Sequence, residues 1–305
     1  MWLDAVNDPP MNLHVLDATY EVFRAFFGRP ARTAPDGMEV GATLGVIETT
    51  LSLLRQPEVT HVAAAADTVI RSFRNEMFAG YKTEEGMPPE LLAQFPLMER
   101  GLEAIGVVTW GMIEFEADDA MATAALRWAD DVEQVVLLSP DKDMAQCVIG
   151  DRVVCYDRRR QILIDEQGVV AKFGVQPESI PDYLALVGDT ADGVPGIPGW
   201  GPRSASTLLA KFGRVDRIPV DPKQWGVQVR GPERLAASLA ERREEVTLYR
   251  TLTTLRRDVP LVESLDDLEW RGVPRDLFLE LCDELGFDDV RTRPHRWAEE
   301  PDGGS

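Results

Sequence analysis

The 305 residues are 44% hydrophobic, enough for a sizeable core and, at ordinary domain sizes, about two domains. Three widely spaced cysteines (Cys147, Cys155, Cys282) exclude a disulfide framework and a paired-cysteine metal site, and nothing approaches the ~18 apolar residues of a membrane span or the pattern of a leader, so an unprocessed cytoplasmic protein is expected. A net charge of −20 argues at face value against nucleic acid, yet 27 of the 32 basic residues are Arg, and carboxylates gathered around cations would inflate the acidic count without repelling a polyanion.

Residues 13–17 (LHVLD) read as a short buried strand ending in Asp17, followed by an amphipathic helix over 19–27. Residues 61–67 (HVAAAAD) repeat the arrangement and end in Asp67. Between this strand and the next, the polar stretch 71–94, broken at Met87-Pro88-Pro89, predicts an excursion from the sheet that grips substrate. Phe115-Glu116-Ala117-Asp118-Asp119 opens a helix over 119–130 that suits packing on a sheet, with Glu116 and Asp119 on one face. A third apolar run, 135–139, is followed at once by Asp141 and Asp143, with Lys142 between them fitting no role. The alternation predicts an α/β fold, a mostly parallel central sheet flanked by helices, in which ligands collect at the carboxyl ends of strands.

Beyond about residue 180 strand signals fade, and a helical second domain is expected over 181–305, with a disordered tail at 299–305. Asp189 and Asp192 stand three apart before a run of Gly and Pro (194–202) that leads into an apolar helical face at Leu208, Leu209 and Phe212. Gly196, Gly199 and Gly201 would let backbone approach a phosphate, and a helix starting at Pro202 would aim its free amides outward beside Arg203 and Ser204. Each acid taken singly has an ordinary explanation in helix capping or a surface turn. Nine of them recurring at strand ends and helix starts (Asp17, Asp67, Glu116, Asp118, Asp119, Asp141, Asp143, Asp189, Asp192) would repel one another unless divalent cations were held, and all-oxygen ligation suits Mg²⁺ or Mn²⁺ over zinc. Two such ions are a known device for phosphodiester hydrolysis without a protein nucleophile. The three histidines, His14, His61 and His295, fit no serine or cysteine triad.

Five blocks in order, 16–27 (LDATYEVFRAFF), 72–82 (SFRNEMFAGYK), 115–125 (FEADDAMATAA), 137–148 (LLSPDKDMAQCV) and 183–213, closely resemble the 5′ nuclease family of the bacterial DNA polymerase I 5′-3′ exonuclease domain and the flap endonucleases. The resemblance implies a PIN-like nuclease core over 1–180 with a helical arch, and a helix-three-turn-helix unit over 181–305 that grips duplex DNA and often holds K⁺. It implies that all nine acids are metal ligands. It also places Arg74 and Lys82 at the arch base against the scissile phosphate, and Gly196, Gly199, Gly201, Arg203, Ser204 and Lys211 against the DNA backbone. The expected activity is a metal-dependent 5′-3′ exonuclease and 5′-flap endonuclease acting on flaps, nicks and 5′ ends in DNA replication and repair, from a stand-alone bacterial, nucleoid-associated protein. A branched-DNA-binding paralogue that does not cut, or a metal-dependent ribonuclease or phosphatase on a similar sheet, are the alternatives. The sequence departs from the family at Gly193, where Asn is usual, at Arg203-Ser204, where Lys-Thr is common, and at Glu84-Glu85, where the arch is often basic, so a weaker arch grip is expected.

Overall fold

The computed structural model describes residues 11–299; most of the tail expected to be disordered lies outside the described residues. A six-stranded sheet has the order β3-β2-β1-β4-β5-β6, formed by β1 (Asn12–Asp17), β2 (His61–Asp67), β3 (Val108–Met112), β4 (Gln134–Leu138), β5 (Val153–Asp157) and β6 (Ile162–Ile164). Neighbours pair in parallel except β6, which returns antiparallel beside β5. The outer strands β3, β5 and β6 were not individually legible in the sequence. β3, for instance, has only one buried residue, Trp110, so its composition carries no strong apolar run.

The inner strands are buried on both faces, as parallel sheets require, and successive residues enter two different cores. Leu13, Val15, Ala63, Ala65, Val135 and Leu137 face one side. Leu16, Val62, Ala64, Ala66, Val136 and Leu138 face the other. The second face is covered by α1 (Ala18–Gly28), α2 (Gly41–Leu53) and α5 (Phe95–Ala104), the first by α6 (Ala117–Trp128). Within the excursion at 71–94, α3 (Phe73–Met77) and α4 (Pro89–Leu92) are joined by the non-helical stretch 78–88, so the helical part of the expected arch is a five-residue and a four-residue helix at the ends of a loop. Gly86, at φ 82°, and the Pro88-Pro89 pair explain why helix does not run through it.

After α7 (Glu166–Phe173), the chain becomes helical: α8 (Ile180–Val187), α9 (Pro202–Phe212), α10 (Pro232–Glu241), α11 (Arg243–Thr253) and α12 (Arg275–Leu285). These helices have no separate core. Leu184, Leu208, Leu235 and Leu252 join the cluster that contains α6 and one face of the sheet. The last helix crosses to the opposite face, where Phe278, Leu281 and Leu285 pack with α2 and α5. A boundary at residue 180 therefore divides the sequence but not the cores.

Candidate active site

The strand order places the site. β1 lies between β2 and β4, so the chain leaves the sheet in opposite directions on either side of it, and a crevice opens at the carboxyl ends of these strands. Asp17 and Asp67 are the last residues of β1 and β2, and Asp141 and Asp143 follow β4. A cavity of about 790 Å³ opens there, lined by Asp17, Asp67, Asp118, Asp141, Lys82 and Asp192 among others.

Asp17 is both an N-cap and part of the wall. One oxygen accepts from the Tyr20 amide at 2.8 Å and caps α1; the other accepts from Ser139 Oγ at 2.7 Å. Ser139 in turn accepts from the Asp141 amide at 3.1 Å, so one hydroxyl ties the ends of β1 and β4 together. The Asp67 carboxylate accepts from the Ala117 amide at 2.7 Å, at the start of α6. Burial pushes the Asp17 carboxyl up to about 7 against the pull of these bonds. Burial also raises Asp67, and it raises Asp118 well above its usual range, helped by Asp141 and Asp17.

The second cluster is Asp143, Asp189 and Asp192. Each offers an oxygen within 4.8 Å of the others, and Asp143 Oδ1 is buried with no hydrogen-bond partner. Burial and its acidic neighbours Asp141, Asp192 and Asp189 hold the Asp143 carboxyl well above the ordinary range, and burial lifts Asp192 to about 6 in spite of Lys82. Lys142 offsets this only in part, and a buried carboxylate oxygen without a hydrogen-bond partner is left with its desolvation largely uncompensated. A hard divalent cation is the partner that this all-oxygen donor set fits.

The structure sorts the remaining expected residues differently. Asp119 is corrected from a metal ligand to a framework residue: fully buried, it takes both guanidinium arms of Arg74, at 2.7 and 2.8 Å, and the amides of Glu116 and Arg256. Arg74, expected against DNA, is only 1% exposed, and its other donors reach the carbonyls of Leu252 and Thr254 at the end of α11. It locks the loop base to α6 and to the helical region, and no donor is left for a phosphate. Glu116 lies between Arg74 Nη1 at 3.0 Å and Lys82 Nζ at 2.8 Å, and also accepts from Ser72 and Tyr81. Burial would raise its carboxyl, but Lys82 and Arg74 outweigh it and hold it at about 2. Lys82 faces the cavity, with its amine also 3.3 Å from Asp192. Lys142, which fits no role by spacing alone, pairs with Asp189 at 2.8 Å.

The helix-turn-helix region is built by glycine. Gly188, Gly193, Gly196 and Gly199 all have positive φ. At Gly193 the backbone reason is direct: a Cβ would lie 2.2 Å from the Gly80 carbonyl, where the turn after Asp192 packs on the loop that carries Lys82. At Gly196 a Cβ would meet the backbone of Val187 and Gly188 at 2.6 Å, closing the turn onto the end of α8. Gly201 has open space, and Arg203 is exposed at the start of α9. Lys211 is exposed on α9, and its amine donates to the Trp225 carbonyl at 2.6 Å. Ser139, Ser72, Tyr81 and Gln146 were missed by the sequence reading. Gln146 accepts from the Leu255 amide and donates to the carbonyls of Asp143 and Thr253, fixing the Asp143 turn against the helical region. All four lie inside the blocks 72–82 and 137–148, but residue type alone did not single them out there.

Residues 12–174 match the family described as the 5′-3′ exonuclease N-terminal resolvase-like domain, and residues 175–276 its C-terminal SAM fold. DNA polymerase I of Bacillus caldotenax is 33% identical over 90% of the chain, which spans only 31% of that polymerase. A 5′-3′ exonuclease of Aquifex aeolicus is 31% identical over 84% of the chain and 86% of its own length. The bacteriophage T5 D15 flap endonuclease, solved with DNA and metal ions, shares the fold with a TM-score of 0.64 at 20% identity, over 79% of this chain and 88% of the phage protein. By domain order and by identity along nearly its whole described length, the chain belongs to the 5′-3′ exonuclease family.

Proposed function

We propose that this protein is a divalent-cation-dependent nuclease that hydrolyses DNA phosphodiester bonds at 5′ ends and 5′ flaps, in the removal of primers and flaps during replication and repair in the bacterial cytoplasm. The observation that carries the reading is the buried, unpartnered oxygen of Asp143 within an acidic cluster at the carboxyl ends of the parallel strands. Asp143, Asp189 and Asp192 would hold one cation and Asp17, Asp67 and Asp118 a second, with Glu116 joining when Lys82 releases it. When bound, Mg²⁺ or Mn²⁺ would supply an activated water and charge stabilisation for in-line hydrolysis.

The protein's own groups supply position and polarity. Lys82 offers the cavity its cation; drawn to a phosphate, it would exchange Glu116 and Asp192 for the substrate. Ser139 keeps the acids of β1 and the β4 loop in register. The glycine turns over 196–201 bring bare backbone, and the start of α9 its free amides, to the phosphates of the duplex beside Arg203 and Ser204. These same turns would hold the K⁺ that the resemblance implies. The nuclease core up to about residue 180 would do the chemistry and the helical region beyond it would hold the duplex.

A labelled 5′-flap duplex incubated with the protein and Mg²⁺ tests the proposal. Cleavage that EDTA abolishes is expected. Intact DNA with both Mg²⁺ and Mn²⁺ would overturn it.

A further inference from the structure

The stretch 78–88 forms one wall of the catalytic cavity, and its charged side chains are unevenly engaged. Lys82 is committed to Glu116 and Asp192. Glu84 is drawn aside by Arg71 at 3.2 Å. Glu85 lines the cavity, is exposed and makes no ion pair among the described residues; only its amide is bonded, to Thr83. The loop wall thus presents one free carboxylate and no free cation. The wall at Tyr20 and Phe23 differs: these two residues also line a neighbouring cavity of about 690 Å³, where Arg24 and Arg29 pair with Glu21 and Glu48 and Arg159 makes no ion pair among the described residues. Cations that neutralise the acids of the centre would leave Glu85, outside their hydrogen-bond network, with its charge.

Building on the nuclease reading, we infer that Glu85 is a specificity-determining residue that selects against long single-stranded 5′ flaps, so that nicks and very short flaps are the preferred substrates. A long flap leaving along this wall sets phosphates beside Glu85. A nick has no strand there to repel. The repulsion is between partly exposed charges and is therefore screened by salt.

The test compares kcat/KM on a nicked duplex and on the same duplex with a flap of about 20 nucleotides, for the wild type, Glu85→Gln and Glu85→Arg, at low and high salt. The expected wild-type preference for the nick is about tenfold at low salt and shrinks as salt rises, the direction expected for screened like charges. Glu85→Gln should reduce the preference and Glu85→Arg should abolish it, mainly through KM on the flap. Glu280→Arg, an exposed charge reversal on α12, should leave the nick-to-flap ratio unchanged. Equal wild-type rates on the two substrates, or a ratio that Glu85→Arg does not move, would overturn the inference while leaving the nuclease reading in place. Should no substrate be cut, the two DNAs are compared by fluorescence anisotropy in Ca²⁺. A gain in flap affinity specific to Glu85→Arg then upholds the inference while the nuclease reading falls, and no gain overturns both.

Discussion

Replacing Asp143 by Asn should stabilise the metal-free protein while destroying its activity. Asp143 is 4% exposed, its Oδ1 has no partner, and its neighbours are Asp141, Asp189 and Asp192. At pH 8 the fold must either bury that charge or take up a proton from alkaline solution, and both cost free energy. Asn removes the charge at nearly constant volume and gives its amide carboxylate oxygens to donate to. An unsatisfied buried polar group costs about 1–3 kcal/mol, more for a charged one, so a gain of that order is expected. For a chain of this size it corresponds to about 2–6 °C in Tm. Differential scanning fluorimetry in EDTA at pH 8 measures it, and the same samples with Mg²⁺ should show a Tm rise in the wild type that the variant largely lacks. Flap cleavage should fall by about 10²–10³-fold, on the scale of losing charge stabilisation in a preorganised site. A variant less stable than wild type in EDTA, or one that keeps the full Mg²⁺ shift, would refute the assignment of Asp143 as a ligand held ready for a cation.

Asp119→Asn should behave in the opposite way, because it leaves Arg74 buried without its bidentate partner; breaking a buried pair costs about 3–5 kcal/mol, seen as a large Tm loss with and without metal. The stabilisation by Mg²⁺ should be greater at pH 8 than at pH 5.5. Asp17, raised to about 7, and Asp192, raised to about 6, take up protons in the fold before they do in the unfolded chain, so the cost of burying their charge is felt in full above pH 7 and fades towards pH 4. Metal meets the full charge only at the higher pH, and a Tm shift independent of pH would count against these acids as ligands. Gly193→Ala places a Cβ against the Gly80 carbonyl at a φ of 74°, so a loss of about 1–3 kcal/mol is expected from strain. Because that contact seats the loop bearing Lys82, kcat should drop as well, which single-turnover kinetics would detect.

The sequence by itself carried the parallel α/β sheet, because the strands that build its centre are continuous apolar runs ending in Asp17, Asp67 and the Asp141 loop, and such runs have few other stable uses. It also carried the cation-binding character of the centre, since like charges at several strand ends need a counter-charge. What it could not decide was which acid plays which part. Asp118 and Asp119 are neighbours, yet successive helical positions point about 100° apart, so one faces the cavity and the other is sealed beneath Arg74. Arg74 and Lys82 likewise read as a pair of phosphate-binding cations, and only the packing of α11 against the loop base turned Arg74 inward. Residue type and spacing set the inventory of charges. Which of them stays available to a ligand is decided by partners tens to hundreds of residues away, brought together only when both faces of the sheet are covered.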